Sequence, residues 1–196
     1  MKILEDKKLK EVEYRIKNFL AEGIIKTKQK KEHVNFFLTN AKDSLDSARA
    51  LFDLSTSKDF QEYTGYIGLK GFLWVINASY YSMFYTARAL LENDGIKIKG
   101  DFSIHTITFD AFIHFFFVTE KLQKRLFENY IEAQEEAAEL LGQQKAKELV
   151  EEYSFEKGKR ATFTYNTAEF AMKTKAETSL ERAKKFNREI KKLIKK

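Results

Sequence analysis

The sequence predicts an all-α protein: an up-and-down bundle of four to five helices preceded by an extra N-terminal helix. Three observations carry this. Apolar residues recur at spacings of three and four along most of the 196 residues, while period-two alternation is scarce. Proline is absent, which suits long unbroken helices and argues against a sandwich or barrel built on proline turns. Hydrophobic residues make up 43% of the chain and charged residues 33%, with 18 Phe and 9 Tyr, enough to build a core without a disulfide or a metal.

The elements follow in order. A charged helix runs from about Leu4 to Leu20 and stops near Gly23. A second runs from about Lys31 to Leu54, with Leu38, Ala41, Leu45, Ala48, Leu51 and Phe52 on one stripe. Ser55 to Gly71 reads as the longest connection, a polar surface excursion with three glycines. The third helix, Phe72 to Asn93, is the most apolar and therefore central, and Asn93-Asp94-Gly95 stops it. Its Trp74, Tyr81 and Phe84 are expected in the core, and Arg88 must either pair with a carboxylate or line a polar groove. The Phe-rich stretch Ile104 to Val118 could form strands; without a partner hairpin it reads as a short buried helix. An acidic helix follows from Leu122 to Tyr153, with Gly142 as a kink point and Glu135, Glu136, Glu139, Glu151 and Glu152 as a solvated face. Ser154 to Asn166 looks less regular, and a last helix runs from Ala168 to Ile194.

Several function classes drop out. With no cysteine there is no zinc ribbon, iron–sulfur cluster or thiol nucleophile. His33, His105 and His114 form no Glu-x-x-His or His-Glu-x-x-His pair, and no glycine-rich phosphate loop occurs, so no metal and no cofactor is expected. The longest uncharged run, Gly71 to Ala87, is 17 residues, short of the ~20 a bilayer span needs, and the charged first helix lacks a secretory apolar core. The expectation is a cytoplasmic protein with no membrane contact.

Charge points to a partner instead. The net charge is +6, but Lys173 to Lys196 alone carry ten Lys or Arg against three Glu. Lys184, Arg188, Lys191 and Lys195 recur at helical spacing opposite Leu180, Ala183, Ile190 and Leu193. A basic face on an amphipathic helix suits phosphate attraction, as it also suits plain solubility. Lys157, Lys159 and Arg160 form a second small basic cluster around Gly158.

Three stretches together resemble the HEPN family of helical-bundle domains. Asn40 to Leu51 is similar to its opening helix, a repeating A-x-x-x-L-x-x-A pattern, here Ala41, Leu45 and Ala48. Ala78 to Leu91 (ASYYSMFYTARALL) resembles its aromatic helix, with His105 following where many members carry a histidine. Arg160 and Tyr165, followed by Ala183, Phe186, Ile190 and Leu193, resemble its Arg-x-x-x-Asp-Tyr element and closing helix.

The resemblance implies residues 1–30 as an N-terminal helical extension and 31–196 as the HEPN-like bundle. It also implies a homodimer, and a minimal nucleotidyltransferase as toxin–antitoxin partner. Active members are metal-independent ribonucleases with an Arg-x(4–6)-His motif, in which a guanidinium grips the scissile phosphate and an imidazole moves the proton. Here no histidine follows His114, so neither Arg125 nor Arg160 has that partner. The first expectation is thus a module binding RNA or nucleotide phosphates through Lys157, Lys159, Arg160, Lys184, Arg188 and Lys191. A metal-independent RNA endonuclease using Arg160 with His105 or Tyr165 is the alternative, and a purely structural interaction bundle the third.

Overall fold

The computed structural model describes residues 6–99, 103–119, 122, 124–153 and 162–194, with backbone alone at 6–8, 141, 143–153 and 162–170. Seven α-helices are present among the described residues: α1 (Asp6–Ala21), α2 (Val34–Thr56), α3 (Lys58–Thr64), α4 (Phe72–Asn93), α5 (Ile104–Phe112), α6 (Lys124–Tyr153) and α7 (Thr162–Ile194). Two short strands, β1 (Ile25–Lys26) and β2 (Lys97–Ile98), complete the fold. The all-α bundle expected from the periodicity is what forms.

Helix α4 is central because it is apolar on nearly every side. Val75, Ile76, Met83, Phe84, Ala87, Leu90 and Leu91 are all buried, and the helix packs most extensively on α2 and α7. Small residues on α2 let the two backbones approach: Ala41, Ala48 and Ser55 recur every seventh position and are buried against it. A polar seam crosses this contact. Ser82 Oγ donates to the Ala41 carbonyl, and Asn187 Nδ2 of α7 donates to Ser82 Oγ at 2.6 Å. Three helices are thereby linked through one buried hydrogen-bonded chain, in which only the Asn187 Oδ1 lacks a partner among the described residues.

The expected stripe on α4 divides in two. Phe84 is buried, whereas Trp74 is 58% and Tyr81 40% exposed. Trp74 and Tyr81 are therefore not core residues. Seven positions apart on a helix they share a face, and that face looks into an open groove beside α2.

The first helix shares the main core. Val12 and Ile16 are fully buried in it, and Arg15 reaches Asp110 of α5 with two hydrogen bonds, Nε at 2.7 Å and Nη2 at 2.8 Å. Past α1 the chain pairs antiparallel with the segment after α4, Ile25 opposite Ile98 and Lys26 opposite Lys97. Gly95 makes this possible. At φ +74° it closes α4, and its carbonyl accepts from Gln29 N at 2.9 Å. A Cβ there would sit 3.0 Å from the Gln29 carbonyl oxygen. Gly65, at φ +77°, would meet nothing within 4 Å. Both alanine variants carry the left-handed backbone cost of ~1–2 kcal/mol, and only Gly95→Ala adds the clash. Urea denaturation should accordingly find Gly95→Ala the less stable of the two; equal stabilities would remove the steric argument.

The connection Ser55 to Gly71 is not simply a loop, since it contains α3. Ser57 Oγ caps that helix by accepting from Phe60 N at 3.2 Å. Buried Gln61 staples the rest, donating to the carbonyls of Leu54 at 2.8 Å and Leu69 at 3.1 Å and accepting from Gly68 N at 2.8 Å. A seven-residue helix held by one glutamine has no apolar period to read.

The Phe-rich stretch is helical, as expected, but passes from α5 into a π-helical turn at Ile113–Phe117. The extra residue per turn buries Ile113 and Phe116 while Phe115 and Phe117 also pack on the core. Helix α6 runs unbroken through Gly142. Helix α7 begins at Thr162, so the backbone of Thr162 to Tyr165, expected to be irregular, is helical. A propensity cost of a few tenths of a kcal/mol per β-branched residue does not interrupt a helix this long.

Candidate functional site

The amphipathic pattern of α7 explains its orientation. Leu180, Ala183, Phe186 and Ile190 are buried, and the opposite side is left to cations. That side opens on a groove of about 570 Å³ against α2, lined by Leu45, Lys184, Asn187, Arg188, Lys191 and Lys192. The expected phosphate ligands Lys184, Arg188 and Lys191 are thus brought together around one concavity. A second groove of about 510 Å³ lies on the α6 side, where Arg125, Arg182, Lys184, Lys185 and Arg188 contribute. Lys184 and Arg188 belong to both and form the ridge between them. From Lys184 to Lys192 the cations follow ~12 Å of helix axis at 1.5 Å per residue.

Some of this charge is already met. Lys184 pairs with Glu181 at 2.7 Å, while Arg188 at 3.3 Å and Lys192 at 2.8 Å share Glu189. These are local, exposed pairs, weak in water and readily exchanged for a polyanion. Among the described residues Lys191, Lys185 and Arg125 form no ion pair. Arg182 is different: only 14% exposed, it bridges Glu136 at 2.9 Å and Glu132 at 3.3 Å. Ser179 Oγ also donates to Glu136, at 2.7 Å. Glu136 is therefore not on a solvated face; it braces α6 to α7 and makes Arg182 a wall of the groove.

Sequence spacing could have added Lys192, four residues beyond Arg188. Arg125 comes from a separate helix, and no signal in the sequence placed it here.

Lys157, Lys159 and Arg160 lie outside the described residues, and Tyr165 is described only in its backbone. His105 is described, at the start of α5, and it lies in an aromatic nest rather than on the α7 face. Its ring centroid is 4.3 Å from Phe84 and 5.4 Å from Tyr81, and Nδ1 is 2.9 Å from the Tyr80 hydroxyl. Burial, then the positive field of Arg88, holds the imidazole below its ordinary value, so it is neutral at pH 7. Burial drives the Tyr80 phenol upward, so it keeps its proton, and its hydroxyl shares a hydrogen bond with Nδ1 whose direction follows the imidazole tautomer. Tyr130, wholly buried, stacks on Tyr80 at 6.3 Å.

Arg88, expected to find a carboxylate or a polar groove, lies over the Phe37 ring at 4.8 Å, with a long 3.5 Å contact to the Ile98 carbonyl. Burial lowers its pKa, yet the guanidinium stays charged at neutral pH. The cation–π contact replaces the expected ion pair.

The chain matches no protein-family model, no curated protein and no solved structure. Among the described residues no group of His, Asp and Glu has the arrangement of a metal site, and no helix is long and apolar enough to cross a membrane.

Proposed function

We propose that this chain is a module that binds the phosphates of RNA or nucleotides along α7, in keeping with its resemblance to HEPN domains. One observation carries the reading: Lys184, Arg188, Lys191 and Lys192 converge on a single groove with the Asn187 side chain at its edge. Four mobile donors along one helical face follow a polyanion without demanding a fixed geometry. The neighbouring groove extends the same positive surface through Arg125 and Lys185. The His105 imidazole contacts Tyr80, Tyr81 and Phe84, and none of these lines either basic groove. The α7 grooves therefore favour binding over cleavage by His105, while Arg160 and the Tyr165 side chain of the endonuclease reading lie outside the described residues. On the same resemblance, a second copy and a minimal nucleotidyltransferase are its protein partners.

Fluorescence anisotropy with a labelled single-stranded RNA tests the reading. Affinity should fall linearly with salt on logarithmic axes, and the triple variant K184E/R188E/K191E should bind at least about tenfold more weakly at 0.1 M salt. Three lost phosphate contacts should reduce the slope by ~2, at ~0.7 per phosphate on a single strand. These positions are at the surface, so circular dichroism should report an unchanged helix content. Equal affinity of the variant, or indifference to salt, would remove the proposal. RNA cleaved in EDTA by the unaltered protein would favour the endonuclease instead.

A further inference from the structure

A third groove, of about 460 Å³, lies between α2 and α4 and shares no lining residue with the basic grooves. It has no charged side chain in its lining. Trp74, Asn77 and Tyr81 come from α4 at spacings of three and four, and Ser44, Ser47 and Leu51 face them from α2. Trp74 and Tyr81 are the exposed aromatics that left the expected core.

Asn77 lies between them and, alone among the seven described side chains with an unpartnered buried polar atom, lines this groove. It is 94% buried, being only 6% exposed, yet its carboxamide makes no hydrogen bond among the described residues. Its oxygen is shut away from solvent without a donor. Its nitrogen, equally without a partner, is not sealed in the same way and sits where the residue lines the groove. An uncompensated buried amide is costly to a fold, and such groups are rare unless a ligand or water completes them. Ser44 brings a hydroxyl beside it, and Ser47 Oγ, donating to the Asp43 carbonyl at 2.7 Å, keeps its lone pairs for a second donor.

The geometry points to a nucleobase as the occupant: a neutral, planar heteroaromatic ring stacked on Trp74 or Tyr81, with its polar edge on the Asn77 amide. Three properties of the groove select that chemistry. The uncharged lining suits a neutral ring and holds no counter-charge for a carboxylate or phosphate. Exposed aromatic faces supply stacking, the term that dominates base binding without sequence preference. The open Asn77 nitrogen offers a donor to an acceptor atom on a base edge, while its oxygen stays buried. The inference does not rest on the phosphate reading, because none of the α7 cations lines this groove. The base could arrive as a free nucleoside or as part of a single strand.

Trp74 is the only tryptophan in the chain, so its fluorescence reports this groove alone. The experiment titrates the full chain with adenosine, with uridine, and with a mixed-sequence single-stranded oligonucleotide. Saturable quenching by a nucleoside is the expected result and identifies the free base as sufficient. Quenching by the oligonucleotide only supports a base presented on a strand. No saturable quenching by any of the three overturns the inference. An oligonucleotide that binds by anisotropy, with Trp74 quenched neither by it nor by either nucleoside, overturns the inference while leaving the α7 reading intact.

The variant Asn77→Leu should weaken the quenching titration at least about tenfold while its urea midpoint stays level or rises, because the amide it removes supports nothing in the free protein. Undiminished affinity in that variant overturns the assignment of Asn77. Trp74→Ala, a change at an exposed side chain, gives a second test by equilibrium dialysis with labelled ligand: about tenfold loss is expected, and unchanged retention is refuting.

Discussion

Phe112→Ala is expected to lower the unfolding free energy by ~3–5 kcal/mol, the range for deleting a fully buried aromatic ring that leaves a cavity. Phe112 has no exposed surface and stands where the helices converge. Its ring centroid is 4.8 Å from Phe127, 5.5 Å from Tyr130, 5.8 Å from Phe116 and 5.9 Å from Phe186. These neighbours come from α6, α7 and the π-helical turn, so one truncation loosens three elements at once. They are themselves interlocked, Tyr130 stacking on Phe186 at 5.6 Å, and cannot collapse into the space without losing other contacts. For a chain of this length the melting temperature should fall on the order of 10 °C. Phe36→Ala, at a ring that is largely exposed, should change stability by no more than ~0.5 kcal/mol. Similar costs at the two positions would mean that the aromatic cluster is not the core.

The second large effect is electrostatic. Asp110 is 1% exposed at its side chain and is held by both donors of Arg15. Arg15→Leu leaves that carboxylate buried and alone, which typically costs 3–5 kcal/mol. The Arg15 side chain is 39% exposed, so water reaches the pair and ~2–3 kcal/mol is the expected loss. Replacing both residues by leucine should recover most of it, since the penalty lies in the orphaned charge rather than in the absence of the bond. Urea denaturation of the two single variants and the double closes the cycle. A double variant as unstable as Arg15→Leu would show that α1 depends on this bond for its docking.

Helix positions were readable where an element's own apolar pattern determines its burial. Phe72 to Asn93 formed with the expected bounds because a helix buried on most of its circumference is apolar over most of it, and Gly95 ends it with a conformation that glycine adopts without strain. The basic face of α7 was readable for the same reason: Leu180, Ala183 and Ile190 must face inward, so Lys184, Arg188 and Lys191 cannot. Where a neighbour decides, the pattern was silent or misleading. Trp74 and Tyr81 have core chemistry on a face left open among the described residues, and Glu136 has surface chemistry at a position that Arg182 and Ser179 enclose. The pairing of Ile25 with Ile98 joins residues far apart in sequence through strands too short to show alternation.

By itself, then, the sequence determined the helical class, the central helix, the inward and outward faces of α7 and the absence of thiol chemistry, because each of these follows from the local order of side chains along one segment. Only the tertiary structure decided that Arg125 joins the α7 cations, that His105 is held by Tyr80, and that Asn77 sits unpaired between two exposed rings. Those arrangements depend on which helix lies beside which. Distances between segments arise from packing the whole chain around Phe112 and its neighbours, and no local periodicity encodes them.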